Sequence, residues 1–146
     1  MAIHHYKHPL PYTHKKLYEL VKDIEKYPLF LPGCRAARIL SQSETEIVAD
    51  LLVGYNFFQE TFRSRVRLTP EYQIEVDYIE GPFRYLKNKW LFHPTSPQET
   101  TIEFFIDFQF KNSLFQKLMQ GMFEMTFEKM LTAFEKRAHA LYGQVD

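Results

Sequence analysis

The sequence predicts an α+β fold: a curved antiparallel sheet of about seven strands wrapped around one long carboxy-terminal helix, with two short helices after the first strand. Three observations carry this expectation. From about residue 35 to residue 110, apolar side chains recur at every second position in six successive stretches, the spacing of strands with one buried face. From Asn112 to Gly143 the spacing changes to three and four, through Leu114, Phe115, Leu118, Met119, Met122, Phe123, Met130, Leu131, Phe134, Ala138 and Leu141. At 146 residues the whole chain, 1–146, suits one domain with a substantial core.

The elements follow in order. Residues 2–9 suit an edge strand, interrupted by Pro9 and Pro11. Thr13 is placed to cap a short helix that puts Leu17, Leu20, Val21 and Ile24 on one face. That helix ends by Tyr27, because Pro28 disfavours helical geometry in the residue before it. Pro28 then opens a second, very short helix in YPLFLP, closed by Pro32-Gly33. A weak strand at 35–42 precedes 45–53, where Ile47, Ala49, Leu51 and Val53 share a face. In 57–68 the even face carries Phe58, Glu60, Phe62, Ser64, Val66 and Leu68, and the odd face Arg63, Arg65 and Arg67. In 72–79, Ile74, Val76 and Tyr78 oppose Gln73, Glu75 and Asp77. In 83–93, Leu86, Asn88, Trp90 and Phe92 oppose Tyr85, Lys87, Lys89 and His93, and 101–110 alternates Ile102, Phe104, Ile106, Phe108 and Phe110 with polar residues. Short Gly, Pro and Asn turns join these strands into a meander. Ser113 with Gln116 has the spacing of a capping box for the final helix, and Gly143 is a natural stop.

Composition narrows the function. Eighteen basic side chains balance eighteen acidic ones, which speaks against a protein held to DNA by bulk charge. One cysteine, Cys34, excludes an intrachain disulfide framework and suits a reducing, cytoplasmic compartment. No apolar run reaches the ~18 residues of a membrane span, and the amino terminus lacks a signal-peptide pattern. Aromatic residues make up 16% of the chain, enough to fill a dense core or to line a pocket.

Candidate sites divide along the same lines. Glu60 and Asn88 fall on faces that are otherwise mostly apolar. Each must pair, meet water or bind a polar ligand end, unless a bulge turns Glu60 outward or the backbone satisfies it. Arg63, Arg65 and Arg67, with Arg84, Lys87 and Lys89, suit phosphate contacts in isolation. The 72–79 strand sets Glu75 and Asp77 between them, so a solvated, charge-balanced face is the simpler expectation. The six histidines complete no metal-ligand spacing. Cys34 has no motif coupling it to a base, and no nucleophile elbow or phosphate-binding glycine loop occurs. No metal, cofactor or catalytic set is expected. In the final helix, Met119, Met122, Met125 and Met130 with Phe123, Phe127 and Phe134 put apolar groups around more than one side. One sheet cannot cover a full cylinder, so part of that surface is expected to line a cavity, meet a dimer partner or touch a membrane.

Four segments bear a family resemblance: LYELVKDIEKYPLFLPGC (17–34), VGYNFFQETFRSRV (53–66), YIEGPFRYLKNKWLF (78–92) and IEFFIDFQFKNSLFQKLM (102–119). They resemble the coenzyme Q-binding subfamily of the START-like, polyketide-cyclase-like proteins, which includes the bacterial RatA-like ribosome-association toxins. The resemblance covers nearly the whole chain. It implies a helix-grip fold, a hydrophobic tunnel, and non-catalytic chaperoning of ubiquinone or a similar polyisoprenoid lipid in support of respiration and quinone biosynthesis. For the toxin branch it implies blocked association of ribosomal subunits. On the face assignment above, a bound tail lies along Phe62, Val66, Trp90, Phe104, Phe108, Met122, Phe123 and Met130. Asn88 and Tyr78 are the donors for a quinone head, with Glu60 helping through water or when protonated. Phe30 and Leu31 form a lid or a lip that touches the membrane, which would place the protein in the cytoplasm or peripherally at the inner membrane.

Overall fold

The computed structural model describes residues 2–55 and 58–143, with side chains described for all of these except residues 2–3, 55, 58 and 114–126. Strand β1 (Ala2–Leu10) leads into helix α1 (His14–Lys22) and a 3-10 helix (Ile24–Leu29). Six strands follow: β2 (Cys34–Gln42), β3 (Glu46–Tyr55), β4 (Phe58–Thr69), β5 (Gln73–Glu80), β6 (Phe83–Ser96) and β7 (Glu99–Phe110). Helix α2 (Ser113–Tyr142) follows.

All seven strands form one antiparallel sheet, ordered β1-β7-β6-β5-β4-β3-β2. Short turns make β2 to β7 a meander, and β1 returns to pair β7 from Ala2↔Phe108 to Leu10↔Thr100. Register shifts in β2, between β4 and β5, and at both ends of the β6–β7 pair give the sheet places to bend. Strand β7 alternates buried and half-buried side chains from Thr100 to Phe110, the signature of a strand with one face on the core. Thr100 is buried at the end of that run, and its hydroxyl donates to the Tyr12 carbonyl at 2.9 Å.

Helix α1 starts where its cap predicts: the Thr13 hydroxyl accepts from the Lys16 amide at 3.3 Å. Leu17, Leu20 and Val21 are buried as expected, and Tyr18 joins them with its ring edge-on to Phe92. The second short helix differs from expectation. It runs from Ile24 to Leu29, not from Pro28 onward, and has 3-10 geometry. Asp23 leaves helical geometry at ψ 67°, so α1 stops there, and the Lys26 amide begins the tighter pattern by donating to the Asp23 carbonyl. The amides of Phe30 and Leu31 both reach the Tyr27 carbonyl, after which Gly33, at φ +84°, turns the chain into β2.

Along α2, Phe127, Phe134 and Ala138 are buried, and Met130 and Leu131 half-buried. Leu141 was expected on that stripe but is 50% exposed. Steps of seven and then four carry the inward face from Phe127 through Phe134 and Ala138 to Tyr142, whose hydroxyl donates to the Lys16 carbonyl at 2.9 Å. The remaining predicted stripe residues, Leu114, Phe115, Leu118, Met119, Met122 and Phe123, lie outside the described side chains, as does Met125.

The outer sheet face is a lattice of ion pairs. Arg67 meets Glu75 at 2.7 Å and Asp77 at 2.8 Å, as the strand order predicts. Arg63 and Arg65 instead turn to β3: Arg63 makes two bonds to Asp50, at 2.8 and 3.1 Å, and Arg65 lies 3.4 Å from Glu46. Strand β4 has a neighbour on each side, so β3 shares the neutralisation with β5.

Candidate binding site: an apolar cavity under the long helix

A cavity of about 220 Å³ lies between the inner sheet face and α2. Its floor is set by the period-two faces of β3 to β7, including Leu51, Phe62, Val66, Ile74, Leu86, Trp90 and Phe104. Phe127, Met130 and Phe134 of α2 form the described roof. Val21, Ile24 and Tyr27 close one end, beside a rim made by Leu31, Pro32, Gly33 and Cys34. The Phe134 ring stands edge-on to Trp90 at 5.1 Å, Tyr27 at 5.4 Å and Phe30 at 5.2 Å, which ties the roof to both the floor and the rim.

Polar groups in the cavity are few. Asn88 is half-buried, and its Nδ2 donates to the Phe105 carbonyl at 3.0 Å. That bond fixes the amide plane and leaves further donor and acceptor capacity. Ser64 is 3% exposed and lines the cavity floor. The Tyr27 hydroxyl donates to the Val21 carbonyl, and burial raises its pKa well above the usual phenol range. Burial also pushes the Cys34 thiol up to about 11, only partly offset by its bond to the Ala36 carbonyl. A thiol held protonated at neutral pH is a poor nucleophile. No carboxylate and no cation is among the described lining residues. Such a site offers shape and apolar surface, with an amide and a hydroxyl for orientation.

The predicted residues divide. Leu31, Phe62, Val66, Asn88, Trp90, Phe104 and Met130 all line the cavity. Phe108 points the same way but is fully buried in the core, 5.9 Å from Phe83 and 5.7 Å from Phe127. Tyr78 is half-buried outside the described lining, and its hydroxyl accepts from the Phe83 amide at 3.0 Å, bracing the β5–β6 turn. Phe30 packs on Phe134 and faces a separate groove. Glu60 is exposed, although no bulge interrupts its pairing with Val53. It lies beyond Arg63↔Glu80, where β5 ends, so no third strand covers it. Met122 and Phe123 fall outside the described side chains.

Sequence reasoning missed Ser64, Ile74 and Leu86, and the rim from Pro32 to Cys34. The first three stood on the correct faces. The choice among those faces leaned toward aromatic residues, while distance along the strand decides which positions reach the cavity.

A sheet gripping one long helix over an apolar cavity defines a class of small ligand-binding domain. The chain belongs to the family described as "Polyketide cyclase / dehydrase and lipid transport", whose model matches residues 10–135. Within it, the chain is 44% identical over 133 residues to the "Ribosome association toxin RatA" of Rickettsia prowazekii, covering 88% of this chain and 90% of that one. It is 30% identical over 139 residues to "Coenzyme Q-binding protein COQ10 homolog B, mitochondrial" of Xenopus laevis, covering 92% of this chain and 57% of that protein. The solved structure of a START superfamily protein from Mycobacterium smegmatis shares the fold, with TM-score 0.83 at 19% identity over 95% of this chain and 98% of that one. Within that family the chain is similar to both the RatA and the COQ10 proteins, and it shares the fold of the START superfamily structure.

Proposed function

We propose that the cavity binds ubiquinone or a similar polyisoprenoid lipid and carries it without altering it chemically, in support of respiratory electron transfer and quinone biosynthesis. The observation that carries this reading is the apolar cavity of about 220 Å³ with Asn88 and Ser64 as described polar side chains in its lining. An engineered apolar cavity of ~150 Å³ accommodates benzene, so this space suits one substituted ring or an isoprene unit or two. The rest of a long tail would leave past the rim at Pro32 or require the roof to lift. Each isoprene unit buries about four to five carbons at roughly 0.8 kcal/mol per methylene, so one unit supplies up to about half of the ~8 kcal/mol of a micromolar affinity and two supply most of it, before the cost of association is met. The coenzyme Q-binding name of the Xenopus relative supports the ligand class. The neutral thiol of Cys34 and the absence of carboxylates from the described lining support binding without catalysis.

The test is mass spectrometry of lipid extracted from protein purified out of a quinone-producing host. Stoichiometric quinone, or loading of added quinone into delipidated protein, is expected. Failure of both would overturn the reading.

A second reading rests on the name of the Rickettsia relative: association with a ribosomal subunit, which would place the protein in the cytoplasm. The outer-face arginines are the basic surface this reading needs, but Arg63, Arg65 and Arg67 are already engaged by acidic neighbours. Co-sedimentation with one subunit, lost when all three become Glu in a protein that still folds, would favour it over the carrier reading.

A further inference from the structure

Beside the cavity rim runs a second, open groove of about 650 Å³. Phe30 and Pro32 form one bank, and about three turns of α2 form the other. Its charged lining consists of Lys129, Lys136, Arg137 and one acid, Glu128. The contrast with the arginines of β2 and β4 on the outer sheet face is in partners. There, Arg38, Arg63, Arg65 and Arg67 each meet a carboxylate. In the groove, Lys129, Lys136 and Arg137 form no ion pair among the described residues. Arg137 is held with its guanidinium 5.3 Å from the centre of the Phe30 ring, and its Nε is buried without a hydrogen-bond partner. Leu29, next to Phe30 in the chain, is 68% exposed. Pro32 lines both the groove and the apolar cavity.

We propose that this groove and the Leu29–Phe30 lip form a docking face for an anionic phospholipid surface, with lipid phosphates against Lys129, Lys136 and Arg137 and Leu29 entering the acyl boundary. Unpaired basic groups beside an exposed leucine suit an interface that is anionic on one side and apolar on the other. A soluble phosphate compound would use the cations and leave Leu29 without a role. The shared residue Pro32 sets the cavity rim against the bilayer, so a lipid passing between membrane and cavity need not cross bulk water. The docking face goes beyond the ligand reading and stands independently of it.

The experiment is co-flotation of the full chain with phosphatidylcholine vesicles, with and without phosphatidylglycerol. Binding is expected only with phosphatidylglycerol and should weaken with salt. Lys129→Gln with Lys136→Gln should lower the partition coefficient about 30-fold, at roughly 1 kcal/mol per basic group near an anionic surface. Leu29→Ser should lower it about tenfold or more. Lys87→Gln with Lys89→Gln removes the same charge from the outer sheet face and should change binding far less. Quinone loading of the Lys129/Lys136 variant in detergent should match wild type. Vesicle binding by protein that takes up no quinone would sink the carrier reading and support the docking face. Equal binding to neutral vesicles would overturn the inference, as would equal losses in the outer-face variant. So would loss of a concentration-dependent dimer in the groove variant without any vesicle binding.

Discussion

At position 90 the structure joins core packing and the cavity wall in one side chain. Trp90, the chain's single tryptophan, is 4% exposed, packs against Phe104 at 4.7 Å and Phe134 at 5.1 Å, and lines the cavity. Trp90→Ala should destabilise the fold by about 3–5 kcal/mol, read as a lower denaturation midpoint in urea. Under the proposed carrier function, Asn88 would separate head recognition from tail burial. If its amide meets a quinone oxygen, Asn88→Leu should weaken quinone binding by about tenfold while leaving a polyprenyl hydrocarbon unaffected, a comparison that isothermal titration would make. On the outer face, the bond from Arg63, reinforced by Arg38, holds the Asp50 carboxyl below its usual range, against the opposing effect of burial. The folded pKa is thus lower than the unfolded one of about 3.9. The stabilisation is therefore full above that value and lost as pH falls through the depressed folded value. Asp50→Asn should flatten the stability loss below about pH 4, measured by denaturant titration across pH. At this scale the sequence was only partly legible. It placed Asn88 and Trp90 on the inner face, but alternation says nothing about where the neighbouring strand ends, and there Glu60 is exposed. Nor does period two encode that the Tyr78 hydroxyl accepts from a turn amide and stands outside the described lining.

At the scale of elements, the alternating stretches became strands with ends within a few residues of those expected, because one buried face specifies a strand strongly. The 3-10 helix departs from the pattern of its prolines. The fixed φ of Pro28 suits a helix start, but the break at Asp23 sets where the new hydrogen-bond pattern begins. The β5–β6 turn makes a sharper prediction. Gly81 has φ +148°, and a Cβ there would fall 2.7 Å from the Phe62 Cβ. Gly81→Ala should cost about 1–3 kcal/mol through backbone strain alone, with more from displacing Phe62. Because Phe62 lines the cavity, the same variant should also weaken ligand binding, visible as a smaller thermal shift on adding quinone.

The whole molecule is a sheet whose curvature and single long helix leave space between them. The fold was legible from two periodicities. A cavity is one of the three outcomes that the excess apolar surface of the helix allows, beside a dimer partner and a membrane, and Phe127, Met130 and Phe134 line one. Its volume was not legible, since that depends on how tightly α2 sits on the sheet, which no pattern of residue types records. The occupant proposed for this space is a polyisoprenoid quinone. Titrating a short-tailed ubiquinone into delipidated protein while following Trp90 emission tests it most directly, because that fluorophore lines the cavity. Saturable quenching at about one quinone per chain is expected, accompanied by a rise in Tm of several degrees at ligand concentrations far above Kd. Linear, unsaturable quenching with an unchanged Tm would contradict it.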